Sequence, residues 1–337
     1  MSVELLHSTR GGLVETIQSG HVVAVDARRR LLASAGDPDA WSYMRSSAKP
    51  LQATMVMRSG AAERFDLTES LLAVCCASHN GEPGHVAAVR AVLERAGAPE
   101  SALRCGMHAP VYQPAAAALW RAGAEPTAVH NNCSGKHAGM LAATQALGAP
   151  LDDYLSIGHP VQQGILANVA ALTGIPRNRI IVGTDGCSAP VHGLPVRAMA
   201  RAYAHLADPH SVPDDAPTLT ALATAMTTHP WYVDGTDGPD TLLMERAGGR
   251  LAVKSGAEGV LCVAVRDAGV GLAIKMESGR NEWSHAVAIE ALRQLDLVSA
   301  ADIEVFAELA HPIVRNHRRL QVGDVRPVFT LRAATRT

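Results

Sequence analysis

Lysine is nearly missing from this chain. Of 30 basic residues among 337, only Lys49, Lys136, Lys254 and Lys275 are lysine, and the other 26 are arginine. Arginine supplies surface charge and ion pairs but keeps its proton at any ordinary pH, whereas a desolvated lysine can lose it. A chain that uses arginine so freely keeps lysine where the amine itself does something. Charge of one sign is also lacking. The formal net charge is −2, which gives no basic field to hold nucleic acid or an anionic membrane. No apolar run approaches the roughly 20 residues needed to span a bilayer. The opening MSVELLHSTRGG has no apolar signal core, so export is not expected and a cytoplasmic location is. Six cysteines (75, 76, 105, 133, 187 and 262) in a chain this long make no disulfide framework. In a cytosolic protein such thiols are buried, catalytic or metal-bound. Internal repeats, low-complexity tracts and obvious linkers are absent too.

What is present reads as alternating elements. HVVAVD (21–26) and LLAS (31–34) predict strands around the turn DARRR. Helices are expected over 50–58, around Val86, Val89, Val92 and Leu93 with a stop at Gly97, after Met140, and from Pro160 to about Leu172 with Gly174 beyond it. IIV (180–182) predicts a short strand, and 194–207 and 216–228 predict helices. LAVKSG, GVLCVAV and VGLAIKM are apolar runs separated by glycine, which predicts neighbouring antiparallel strands. Helices are expected over 282–295 and 303–311, and RPVFTLR is expected to be a last strand. Strands at both chain ends with helices between them predict an α/β (α+β) fold whose sheet is closed by the two ends. The expectation is one domain over 1–337, with a helical subdomain around 60–245.

Five clusters carry chemistry. In RSSAKP (45–50), Ser46 and Lys49 stand one turn apart, so hydroxyl and amine can meet. A neutral lysine can then take the serine proton, the Ser-Lys form of nucleophilic catalysis. Pro50 belongs in a first helical turn, which makes Ser47 the expected N-cap. The plain alternative is a capping serine beside a solvated lysine, and Ser47 itself is a lesser nucleophile. In CCASHNGEPGH (75–85) an apolar run delivers Ser78, His79 and Asn80 into a Gly-Pro loop, where Ser78 can relay a proton and Asn80 can donate to an oxygen; a simple capped turn reads equally well. In NNCSGKHAGML (131–141), Cys133, Lys136 and His137 share one face of an expected helix start, where a thiol's pKa falls. GTDGCSAP (183–190) puts Asp185 and Cys187 in a turn after a strand. Two thiolates, a neutral nitrogen and a water would make a tetrahedral zinc site. With no CxxC or HxxxH behind them, spacing alone favours two free cysteines. In KSGAEG (254–259), Lys254 is expected to end a strand and Glu258 to begin the next.

SSAKP, CASHNGE, NNCSGKHAGML, GTDGCSAP and KSGAEG, in this order, resemble the rhizobial-type L-asparaginases, the class 3 members of the asparaginase II family. The resemblance runs over roughly residues 10–280. It implies a serine β-lactamase/glutaminase-like fold, a mostly antiparallel sheet flanked by helices, acting as a homodimer. It implies hydrolysis of L-asparagine to L-aspartate and ammonia by two Ser-Lys tandems, Ser46–Lys49 and Ser78–Lys254. It implies a zinc ion held by Cys133, Lys136 and Cys187, with His137 beside the metal or facing substrate. Asp185 is the expected partner of the substrate's α-ammonium and Arg45 of its carboxylate, with Asn80 as a further contact. The rival expectations are a β-lactamase-like or glutaminase-type serine amidohydrolase on the same fold, or a non-catalytic zinc-binding protein.

Overall fold

The computed structural model describes residues 1–334. The described strands are β1 (Val3–Arg10), β2 (Leu13–Asp26), β3 (Leu31–Ala35), β4 (Trp41–Tyr43), β5 (Ile181–Thr184), β6 (Pro190–Pro195), β7 (Leu251–Gly256), β8 (Val260–Val265), β9 (Val270–Met276), β10 (Ile313–Arg315), β11 (Gln321–Pro327) and β12 (Arg332–Ala333). The chain divides into two compact units, one formed by 1–47, 194–211 and 246–337, the other by 48–193 and 212–245.

The first unit is built on an antiparallel sheet in the order β10-β11-β1-β2-β9-β8-β7, with β3 pairing both β2 and β12. β11 lies against β1, so the two chain ends do meet in one sheet, as the strand pattern predicts. The three glycine-separated runs form neighbouring strands, with Lys254 opposite Cys262 and Cys262 opposite Ala273. Every residue of β8 (VLCVAV) is buried, which is why it reads as an unbroken apolar run rather than an alternating one. The helices Val196–Ala207 and Ser284–Gln294 pack on β8 and β9. Gly271 permits that approach, because a Cβ there would stand 1.9 Å from the Ala200 carbonyl oxygen.

Two C-terminal expectations change. RPVFTLR is not one strand: β11 ends at Pro327, and after a last bond from Val328 N–H to the Leu5 carbonyl, residues 329–331 leave the ladder. Proline has no N–H to give, and the Gln294 side chain takes over, donating to the Phe329 carbonyl and accepting from Leu331 N–H. The helix expected over 303–311 is two short pieces, Ala300–Val305 and Ala307–Ala310. The first begins earlier because Ser299 and Asp302 form a reciprocal capping box.

The second unit is helical, with β5 and β6 paired at its margin. Its axis is the helix Ser134–Ala146, buried from Ser134 through Thr144. Helices Lys49–Arg58, Glu69–Cys75 and Pro83–Arg95 pack around it. The glycines of SGKHAG are what let them in. A Cβ on Gly135 would sit 2.1 Å from the Val74 carbonyl oxygen, and one on Gly139 would sit 2.9 Å from Cys75 Sγ. Helix Pro160–Thr173 begins at proline and ends at Gly174 in the left-handed region, as its sequence predicts.

Candidate functional site

The largest gathering of chemically active side chains lies in the helical unit, around the first turn of Ser134–Ala146. Lys49 opens the helix Lys49–Arg58, whose residues through Val56 are all buried. Its side chain is 1% exposed. The expected N-cap is corrected here. The cap position is Ala48, and Ser47 belongs to a 3-10 turn over Arg45–Ala48, its hydroxyl donating to the Met44 carbonyl at 2.7 Å. Pro50 stands in the first helical turn, where its missing N–H breaks no helical bond.

Ser78 follows the end of helix Glu69–Cys75, where the final carbonyls lack helical partners. Lys49 Nζ donates to the Ala77 oxygen just past the helix end at 2.6 Å, and stands 2.8 Å from Ser78 Oγ and 3.5 Å from the Asn132 oxygen. A neutral amine would donate to the two carbonyls and turn its lone pair to the Ser78 hydroxyl. Lys49 thus meets the serine that the resemblance pairs with Lys254. Ser46 and Lys254 are placed in the sheet unit. Lys254 lies in the middle of β7, fully buried, donating to the Ser255 carbonyl at 2.9 Å. It does not end the strand as expected, and Glu258 lies in the turn after it, at φ 61°, rather than on β8. Gly256 closes the same unit around Ser46, since a Cβ there would stand 2.7 Å from the Met44 carbonyl and 3.2 Å from Ser46 N.

Cys133 caps the helix Ser134–Ala146, its N–H donating to Asn131 Oδ1 at 2.8 Å. Lys136 follows one turn later, and its Nζ reaches Cys187 Sγ at 2.9 Å. Cys187 sits in the turn after β5, closed by Asp185 N–H to the Ala189 carbonyl and by Ser188 in the left-handed region. Burial alone pushes the Cys75 thiol up to about 12, and burial together with the nearby Cys133 sulfur pushes Cys105 up to about 12 as well. Cys133 goes the opposite way. A hydrogen bond from Cys187, together with the Lys49 and Lys136 amines, outweighs burial and holds it well below the usual thiol range. Cys187, giving that bond, is pushed up. Burial opposes charge on Lys136, yet the two sulfurs beside it keep the amine above its ordinary value. Two sulfurs and one amine therefore converge. Among the described residues no group of three His, Cys, Asp or Glu side chains could hold a metal. A metal here needs the Lys136 nitrogen as third donor, and an S2N set of this kind fits zinc.

The remaining expected residues fall into place around these. His137 is fully buried, its Nδ1 2.6 Å from the Tyr154 hydroxyl. Burial and the Lys136 and Lys49 amines hold it well below its usual value, hence neutral. Asp185 accepts from Gly186 N–H at 2.8 Å, and its charge acts on Lys136. Asn80 packs against Gly235, where a Cβ would stand 2.2 Å from its amide, and donates to the Thr236 carbonyl at 3.4 Å. Arg45, in the sheet unit, stands 3.6 Å from Glu258.

Sequence reasoning gave no role to His79 and passed over two further buried polar side chains of this unit. His79 accepts from Gly81 N–H on Nδ1 and meets Ser134 Oγ 2.8 Å from Nε2, while Ser134 donates to the Val129 carbonyl. Burial first, and then nearby positive groups, hold His79 well below its usual value, hence neutral. Asp240 is a fully buried carboxylate in the first turn of Pro239–Arg246. Tyr154, the partner of His137, carries no signal in the sequence at all.

The sequence profile of the L-asparaginase II family matches residues 6–327. The chain belongs to the L-asparaginase II family. No curated protein matches it. Among solved structures it is similar to Mglu in its native form at 4.3 M NaCl, with 15% identity and a TM-score of 0.45 over 84% of this chain and 63% of Mglu. A β-lactamase from Mycobacterium bovis shows 15% identity and a TM-score of 0.42 over 86% of this chain and 95% of its own. A simvastatin synthase mutant from Aspergillus terreus shows 13% and 0.40 over 77% and 86%. Likenesses this loose carry nothing further. No helix among the described residues is long and apolar enough to cross a membrane.

Proposed function

We propose that this family member is an L-asparaginase that works through a serine ester, with Lys49 as its base. The observation that carries this reading is the buried contact between Lys49 Nζ and Ser78 Oγ at 2.8 Å. A lysine enclosed with a hydroxyl and two carbonyls can act neutral, which an arginine never could.

Ser46, three residues before Lys49 in the chain, is the nucleophile in this scheme. Lys49 takes its proton, and the serine oxygen bonds to the side-chain amide carbon of L-asparagine. The C–N bond breaks as ammonia takes a proton back from the Ser-Lys network. Water then cleaves the ester to L-aspartate. Ser78 carries protons to and from Lys49, with Lys254 as the second amine of the pair. Arg45 and Asp185 receive the substrate's carboxylate and ammonium, and Asn80 and His137 contact its polar groups. Cys133, Lys136 and Cys187 would hold zinc, whose charge when bound orients substrate and site residues. The active form in this reading is a homodimer. Six free, buried thiols suit a reducing compartment, here the cytoplasm.

The test is ammonia release from L-asparagine and L-glutamine, and ring opening of a β-lactam followed by absorbance, with and without a chelator, by wild type and by Ser46→Ala. Release from L-asparagine that Ser46→Ala abolishes is expected. Preference for glutamine or the β-lactam would move the enzyme to a sister activity, and metal without any amide hydrolysis would end the enzymatic reading. A Ser46→Ala protein with near-normal turnover shifts the nucleophile to Ser78.

A further inference from the structure

Tyr154 is held at both ends. Its backbone carbonyl accepts from Gln162 Nε2 at 2.9 Å, and its hydroxyl oxygen accepts from Arg104 N–H at 3.0 Å. The ring is fully buried and stands edge-on to His137, with centroids 5.7 Å apart and planes at 89°. The phenol has one proton, and the acceptor in reach is His137 Nδ1, at 2.6 Å. Burial keeps the phenol protonated. The proton therefore goes to Nδ1, which leaves neutral His137 with its hydrogen on Nε2. That Nε2 is buried and has no hydrogen-bond partner.

An unpaired buried donor is expensive, and a folded protein keeps one where something else will pair with it. His79, by contrast, has both ring nitrogens engaged. His137 follows Lys136 on the same helix. A buried N–H held in place and left unpaired can receive an oxygen that gains negative charge.

We propose that Tyr154 is a positioning residue: by donating to His137 Nδ1 it fixes the tautomer that offers Nε2–H to the amide oxygen of the substrate. The assignment rests on the amide-hydrolase reading above. When the serine adds to the amide carbon, the oxygen becomes an oxyanion, and a fixed donor stabilises it without reorganising. The alternative tautomer would point a lone pair at that oxygen and repel it.

Two readouts test this. In wild type, nitrogen-15 NMR of the imidazoles should show His137 protonated on Nε2, and titration with L-aspartate should shift that resonance. Tyr154→Phe removes only the hydroxyl. It should mix the tautomers and lower kcat by about tenfold or more, with KM nearly unchanged. A wild-type His137 protonated on Nδ1, an Nε2–H resonance that L-aspartate leaves unmoved, or a Tyr154→Phe enzyme with full kcat would each overturn the proposal. The wild-type measurements decide it even where Tyr154→Phe does not fold. A chain with the expected tautomer that releases no ammonia from any amide would instead overturn the reading of the function.

Discussion

Replacing Lys49 separates charge from proton transfer. Lys49→Met keeps the length of the stem and removes the amine, whose contacts are the Ala77 oxygen at 2.6 Å, Ser78 Oγ at 2.8 Å and the Asn132 oxygen at 3.5 Å. Each buried group left without a partner costs about 1–3 kcal/mol, so the variant should unfold at lower urea while remaining folded in buffer. Loss of a positioned base should lower kcat by roughly 10²–10⁴. Lys49→Arg keeps the positive charge but cannot give up a proton, and its larger head must enter a site where the native side chain is 1% exposed. Overpacking of that kind costs about 1–3 kcal/mol. Both variants should therefore lose kcat by about 100-fold or more. The assay is ammonia release at saturating L-asparagine, with urea unfolding in parallel to show that the loss is not simply loss of fold. If Lys49 served only as a fixed charge, arginine would rescue much of the activity. A Lys49→Arg enzyme with more than about a tenth of wild-type kcat would refute the proton-transfer role.

Cys133→Ser and Cys187→Ser should each lose bound zinc on elemental analysis, since either change removes one of the two sulfurs of the donor set. Zinc affinity of the wild type should fall as pH drops, because thiolates and a neutral amine must lose protons to bind; an active enzyme purified without chelator and carrying no stoichiometric metal would overturn this. In the sheet unit, burial first and then the Arg201 and Arg29 charges push His205 down to about 4. Between an unfolded value near 6.5 and about 4, the unfolded chain takes up a proton that the folded chain refuses, so stability falls with pH through that window. The loss should reach up to about 3 kcal/mol. It should be smaller in His205→Gln than in wild type when urea midpoints are compared at pH 7 and pH 4, and equal losses would show that His205 contributes nothing.

Much of this protein is local and could be read from its sequence. Pro160 and Gly174 bound a helix because one lacks an N–H and the other reaches the left-handed region, whatever surrounds them. VLCVAV is a strand buried on both faces because nothing else suits six apolar residues between turns. Cys133 and Lys136 share a face because helical spacing puts them there. Tertiary packing decided the partners. Cys187 reaches Lys136 from 51 residues away, and Ser78 reaches Lys49 from 29 away. Those distances depend on how closely helices approach, which Gly135 and Gly139 set against Val74 and Cys75. One local rule failed where a distant group competed for the backbone, Gln294 bonding Phe329 and Leu331 of RPVFTLR, and another where a nearer acceptor won, the Met44 carbonyl taking the Ser47 hydroxyl from its expected cap. A periodic pattern specifies which face of an element is buried. It holds no information about which side chain waits on the other side, and in this chain the candidate chemistry is made of such pairs.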